Sequence, residues 1–183
     1  MGAQFAKVPE MFGPVHIGIL AAIAAVSVGL FFVFRRLEDK KLLRILGIMG
    51  ACMIAAELWK QWFVHRCVYA DIPSAWFFPW QLCSMAMYCS FAAPFLKGKA
   101  RDTVLVFLAT FSLIAAVMAL AVPADMLRPQ ILLFCHSFLY HAVMVLESVI
   151  AILLLRRREK AKFMPAALLF LAMAAVAEVV NPL

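Results

Sequence analysis

The sequence predicts an all-α protein: a polytopic membrane helical bundle of six transmembrane helices, with its N-terminus outside the cytoplasm. Three observations predict it. Of the 183 residues, 67% are hydrophobic and only 15% charged, and the mean hydropathy is +0.98. A soluble domain of this length has no interior for so much apolar side chain, and its surface carries more charge. The apolar residues also fall into six runs near the length of about 20 that crosses a bilayer core. Finally, the basic residues gather between alternate runs, as orientation in a membrane requires.

The spans are expected near 14–34, 43–66, 76–96, 103–122, 129–155 and 164–181, within a single integral membrane domain of residues 1–183. Proline marks where helices begin, because the first turn loses no amide bond to it. Pro14, Pro79, Pro129 and Pro165 fit this role, and Pro123 ends the fourth run. Arg35, Arg36, Lys40, Lys41 and Arg44 follow span one, and Lys97, Lys99 and Arg101 follow span three. Arg156, Arg157, Arg158, Lys160 and Lys162 follow span five. The alternate loops and the N-terminal tail hold only Lys7, Arg66 and Arg128. Thirteen cations against three place both termini outside. Trp76, Phe77, Phe78 and Trp80 then read as an aromatic belt at the outer interface or a lead-in to span three. The two three-span halves have opposite orientation, yet no sequence match supports an inverted repeat.

The net charge of +7 does not point to nucleic acid. Its basic residues lie in short clusters between apolar runs, and the anionic inner leaflet is their expected partner. No cleavable signal is expected, since the charge order around the first run is reversed for one. Ala6 stands where a myristoylation signal has Ser or Thr. Cys52, Cys67, Cys83, Cys89 and Cys135 form no CxxC pair, so neither a disulfide framework nor a zinc knuckle is expected.

Ionisable groups inside a bilayer are costly, which makes each a functional candidate. In span two, Glu57, Lys60, Gln61 and His65 share one helical face. Read alone, Glu57 and Lys60 are a structural pair that locks helices together. Span five carries His136, Tyr140 and Glu147 on one face, with Ser137 and His141 on an adjoining one. A lone histidine in such a span is often only an interhelical hydrogen-bond donor. A lone cysteine such as Cys83 is most often a small apolar filler. Depth separates these readings. At about 1.5 Å per residue, Cys83 lies roughly 6–10 Å, His136 about 10 Å, Gln61 about 8 Å and Glu57 about 14 Å from the outer ends of their spans. Only Glu147 belongs to the inner half. A scatter of structural hydrogen bonds would not collect on one side, so a polar chamber opening outward is expected.

The stretches Phe78-Pro79-Trp80-Gln81-Leu82-Cys83-Ser84 and Cys135-His136-Ser137-Phe138-Leu139-Tyr140-His141 resemble the YwaF-type integral membrane proteins. These are related to the eukaryotic transmembrane acyltransferases that remodel ether phospholipids. Glu57, Cys83 and His136 match in order and spacing, over roughly residues 14–181. Gln81 departs from the pattern, since the resemblance implies a histidine two residues before the cysteine. The resemblance also implies a further span beyond Asn181-Pro182-Leu183.

The resemblance implies acyl transfer, with Cys83 and His136 as the catalytic residues. Physical chemistry allows the same roles: a cysteine near a helix N-terminus gains thiolate stabilisation, and a neighbouring histidine takes its proton. Glu57, Lys60, Gln61, His65, Gln81, Tyr140 and His141 form the expected supporting polar site, with no metal and no cofactor. Membrane phospholipids are the expected partners and the cell membrane the expected location. An outward-opening pocket favours a phospholipid over cytosolic acyl-CoA as acyl donor. Three alternatives stay open. Glu57, Lys60, His136 and His141 also suit a proton-coupled or small-molecule transporter. His65, Cys83, His136 and His141 offer donors for zinc or haem iron. A scaffold without chemistry is the plainest of the three.

Overall fold

A computed structural model of the chain describes residues 3–68, 83–123, 126–156, 158 and 161–180. These residues form an all-helical bundle. Helix α1 is Pro14–Phe34, α2 is Asp39–Phe63, α3 is Ser84–Ala92 and α4 is Gly98–Phe107. Helix α5 is Leu113–Ala121, α6 is Ile131–Leu155 and α7 is Phe163–Val180. One π-helical turn, Val64–Val68, continues α2, and another, Leu108–Ser112, joins α4 to α5 into one rod.

Four of the helical rods are long and apolar enough to cross a membrane: Pro14–Phe34, Asp39–Cys67, Gly98–Ala121 and Ile131–Leu155. Two of them start before the expected apolar run, at Asp39 rather than 43 and at Gly98 rather than 103. Helical hydrogen bonding does not stop where the hydrocarbon does, so the basic residues Lys40, Lys41 and Lys99 occupy the first turns. The expected third span is represented by α3, while residues 76–82, with the aromatic belt, Pro79 and Gln81, lie outside the described residues. Pro14 opens α1, whereas Pro129 stands just before Gln130, whose side chain caps α6 by accepting from the Leu133 amide.

The core lies between α2, α3, the α4–α5 rod and α6, around Leu46, Met85, Leu105, Met144 and Leu154. Helices α2 and α3 meet at their backbones. A Cβ added at Gly50 would stand 2.3 Å from the Phe91 amide nitrogen, and one at Gly47 would stand 2.6 Å from Pro94 Cγ. Helices α1 and α7 are peripheral. Helix α1 buries only His16 and Phe34, and α7 leaves Leu168, Leu171 and Val179 exposed. Such a continuous apolar exterior suits lipid, not water.

The two ends of the bundle differ. At the basic end Arg158 pairs with Asp102, and Arg35 and Arg156 cover the rings of Phe32 and Phe31. At the opposite end the N-terminal segment pairs with the loop before α6, through Gln4 and Gln130 and the Phe5 amide to the Pro129 carbonyl at 2.9 Å. His16 closes that end. Its Nδ1 accepts from the Phe12 amide at 3.0 Å, and its Nε2 lies 2.8 Å from the Leu120 carbonyl. These contacts put the N-terminal segment beside the first turn of α6, at the end of the bundle that carries His136.

Candidate functional site

A cavity of about 160 Å³ opens at this end of the bundle. From α2 and its π turn it is lined by Glu57, Lys60 and Val64, and from the start of α3 by Cys83 and Ser84. Helix α6 adds Leu133, His136, Ser137, Tyr140 and His141, and the loop before it adds Met126 and Arg128. Each helix contributes its polar face because its opposite face is apolar. On α2, Leu58, Trp59 and Trp62 point outward, and on α6, Leu132 and Leu139 do so.

Glu57 and Lys60 offset each other on the cavity wall, and Arg128 adds a second cation. Glu57, 3% exposed, pairs with Lys60 at 2.6 Å and accepts from Gln61 Nε2 at 2.8 Å. The i, i+3 and i, i+4 spacings on one helix bring the three together before any tertiary contact forms. The carboxylate is therefore held in place and partly neutralised on the cavity wall.

Cys83 precedes the first helical residue of α3, and the histidine that meets it is His141. Its Nε2 lies 3.4 Å from Cys83 Sγ, and its Nδ1 lies 2.8 Å from the Ser137 carbonyl oxygen. A carbonyl oxygen only accepts, so Nδ1 carries the proton and Nε2 presents its lone pair to the thiol. His136 lines the same cavity one helical turn away, between Trp59 at 6.1 Å and Tyr140 at 5.7 Å between ring centroids. Its Nε2 is buried and has no hydrogen-bond partner among the described residues, while the Tyr140 hydroxyl has Ser84 as its polar neighbour. In a membrane interior a buried polar atom without a partner is expensive, which makes His136 the wall residue most in need of a ligand or water.

Of the residues singled out in the sequence, Glu57, Lys60, Cys83, His136, Tyr140 and His141 line the cavity, and Gln61 supports Glu57. His65 is exposed on the π turn and stands apart from that lining. Gln81 lies outside the described residues. Ser84, Arg128 and the Ser137 carbonyl are members that the sequence did not single out as site residues. Arg128 carried a usable signal, being one of only three cations in the alternate loops and the N-terminal tail. The Ser137 carbonyl carried none, since any residue supplies one. Among the described residues, no three His, Cys, Asp or Glu side chains gather in a metal-binding arrangement.

Residues 11–183 match the model of the TMEM164 family. The chain belongs to the TMEM164 family. The match covers the cavity and all seven helices, and it makes this a transmembrane family member whose fold and apolar helices agree. The family's name states no activity. A search of curated proteins and a search of solved structures gave no match to this TMEM164-family chain.

Proposed function

We propose that this TMEM164-family protein is a cysteine-dependent phospholipid acyltransferase, working by transacylation at the cavity of Cys83. The observation that carries the proposal is the oriented pair: a thiol at a helix N-terminus facing the unprotonated nitrogen of His141. The motif resemblance to YwaF-type proteins and their acyltransferase relatives supports the same chemistry.

In this reading the thiol proton passes to His141 Nε2 as Sγ attacks the ester carbonyl carbon of a phospholipid. The C–O bond breaks, and the lysophospholipid alkoxide takes the proton from His141. The acyl group remains on Cys83 as a thioester. A second lysophospholipid hydroxyl then gives its proton to His141 and attacks the thioester, and the sulfur leaves and recovers that proton. Lys60 stands on the same wall, placed to donate to the carbonyl oxygen as it gains charge. Glu57 holds Lys60. The roles of the two histidines follow from distance. His141 takes the thiol proton in place of His136, which is reassigned to the substrate.

The test is acyl exchange between a labelled phospholipid and a lysophospholipid by protein in proteoliposomes. Cys83→Ala should abolish exchange, and His141→Gln should lower it about 10²–10⁴-fold, the usual range for a lost acid–base group. Unchanged exchange in Cys83→Ala would sink the assignment.

One observation favours a second reading, proton-coupled transport. Glu147 is fully buried in the bundle core, with the Ser90 side chain beside its carboxyl group. Flux that survives Cys83→Ala but not Glu57→Gln would support it.

A further inference from the structure

An apolar groove between α2 and α6 adjoins the polar cavity across His136 and Tyr140. This groove has a volume of about 280 Å³ and runs from His136 and Tyr140 past Ala56 and Cys52 to Ile48. His136 and Tyr140 line both spaces. Along α2 the wall from Ala56 to Ile48 spans about 12 Å at 1.5 Å per residue. It runs from the cavity toward the basic end of the bundle, into the hydrocarbon depth. Its sides are Met49, Met53 and Val143, apolar and in part buried.

We infer that this groove holds a phospholipid acyl chain, with the chain's ester at the boundary formed by His136 and Tyr140. An occupant that spans both spaces must be polar in the cavity, among Lys60, Cys83 and His141, and aliphatic along the groove beyond His136 and Tyr140. A lipid ester followed by its chain has that order of chemistry. A small polar solute leaves the groove empty, and a free alkane leaves the polar cavity unfilled.

A second groove is the built-in contrast. It lies between α1 and α6, measures about 370 Å³ and is lined by Ile23, Val26 and Ala142. It shares Leu139 and Val143 with the first groove but reaches neither His136 nor Tyr140. Lipid tails are as apolar as the groove walls, so a chain moving from the bilayer into either groove gains little hydrophobic energy. Only packing and the polar contacts at the chain's head distinguish the two. The α2–α6 groove therefore sets the register of a chain instead of supplying bulk affinity. It fixes which carbonyl stands at the cavity and how long a chain fits.

The inference rests on the acyl-transfer reading for the identity of the ester, and the experiment separates the two. Cys83→Ala protein in liposomes is irradiated with a phospholipid carrying a diazirine midway along one acyl chain, and adducts are mapped by mass spectrometry. Adducts at Met49, Cys52 or Met53 should exceed those at the α7 residues Leu168 and Leu171 by at least several-fold. Ala56→Trp, placed in the groove just below its polar end, should remove that excess and leave labelling at Ile23 and Ala142 unchanged. Cys52 lines the groove and is exposed on the bundle surface, so Cys52→Trp is a second variant that displaces no buried side chain, expected to shift exchange by the otherwise wild-type protein toward shorter chains. Labelling no higher than on α7, or an excess that survives Ala56→Trp, overturns the groove. Because the labelling is read in Cys83→Ala, it stands whether or not that cysteine proves to be the nucleophile.

Discussion

Glu57 shows how one side chain joins stability and site. A carboxylate that is 3% exposed survives in an apolar bundle because Lys60 and Gln61 both reach it from the same helix. Removing one partner leaves a buried charge without compensation, whereas removing both charges is far milder. Lys60→Met should therefore destabilise the protein toward the lower end of the roughly 3–5 kcal/mol typical of a broken buried pair, since Gln61 keeps one bond. The double variant Glu57→Gln with Lys60→Met should recover much of that loss. Thermal unfolding in detergent measures these variants and Glu57→Gln alone, and a loss in the double variant equal to the sum of the two single losses would show that the pair carries no coupling. The same scale explains why two neighbouring histidines have different uses. His141 is fixed by the Ser137 carbonyl one turn earlier and aimed at Cys83, while His136 lies on the cavity wall between Trp59 and Tyr140.

At the level of elements, the site depends on how closely α2 approaches α3. Gly50 permits that approach, because the backbone of α3 at Phe91 occupies the space a side chain would need. Backbone atoms cannot rotate away as a flexible side chain does. Gly50→Ala should cost about 1–3 kcal/mol or more, as overpacking does, and should part the two helices that carry Glu57 and Cys83. A lowered midpoint of thermal unfolding together with weaker acyl exchange is the expected result. Unchanged stability would mean that the helices separate without cost. The π turns belong to this scale too. The turn at Val64–Val68 follows the helical segment that carries Glu57 and Lys60, and Val64 itself lines the cavity. Such turns often occur where a helix bends to serve a site.

Across the whole molecule, charge and polarity are sorted to opposite ends. Lys40, Arg44, Arg101 and Arg158 surround a groove between α2 and α3 at the basic end, where anionic headgroups of a cytoplasmic leaflet would meet them. The cavity of Cys83 opens at the other end, together with the N-terminal segment. The positive-inside asymmetry then predicts that the N-terminus and the cavity face away from the cytoplasm. In sealed membranes whose non-cytoplasmic face is exposed to added protease, an N-terminal epitope should be cleaved, while an epitope inserted after Arg36 should be protected. The reverse pattern would put the cavity on the cytoplasmic side and bring acyl-CoA back as a donor.

The helical bundle was legible from composition alone, because apolar runs of about 20 residues leave the backbone few ways to cross a bilayer other than as helices. The polar face of α2 was legible as well, since Glu57, Lys60 and Gln61 interact at spacings set by helical geometry. The partner of Cys83 was not. His136 and His141 lie five residues apart on α6, and both reach the same cavity. Which one touches a thiol 58 positions away in sequence depends on the rotation of α6 against α3, and no local pattern encodes that. The closeness of α2 to α3 at Gly50 and the groove that extends the cavity likewise arise where helices meet. Periodicity along the chain determined which residues share a face. Only tertiary packing decided which faces meet, because the contact is set by the shapes of two surfaces at once.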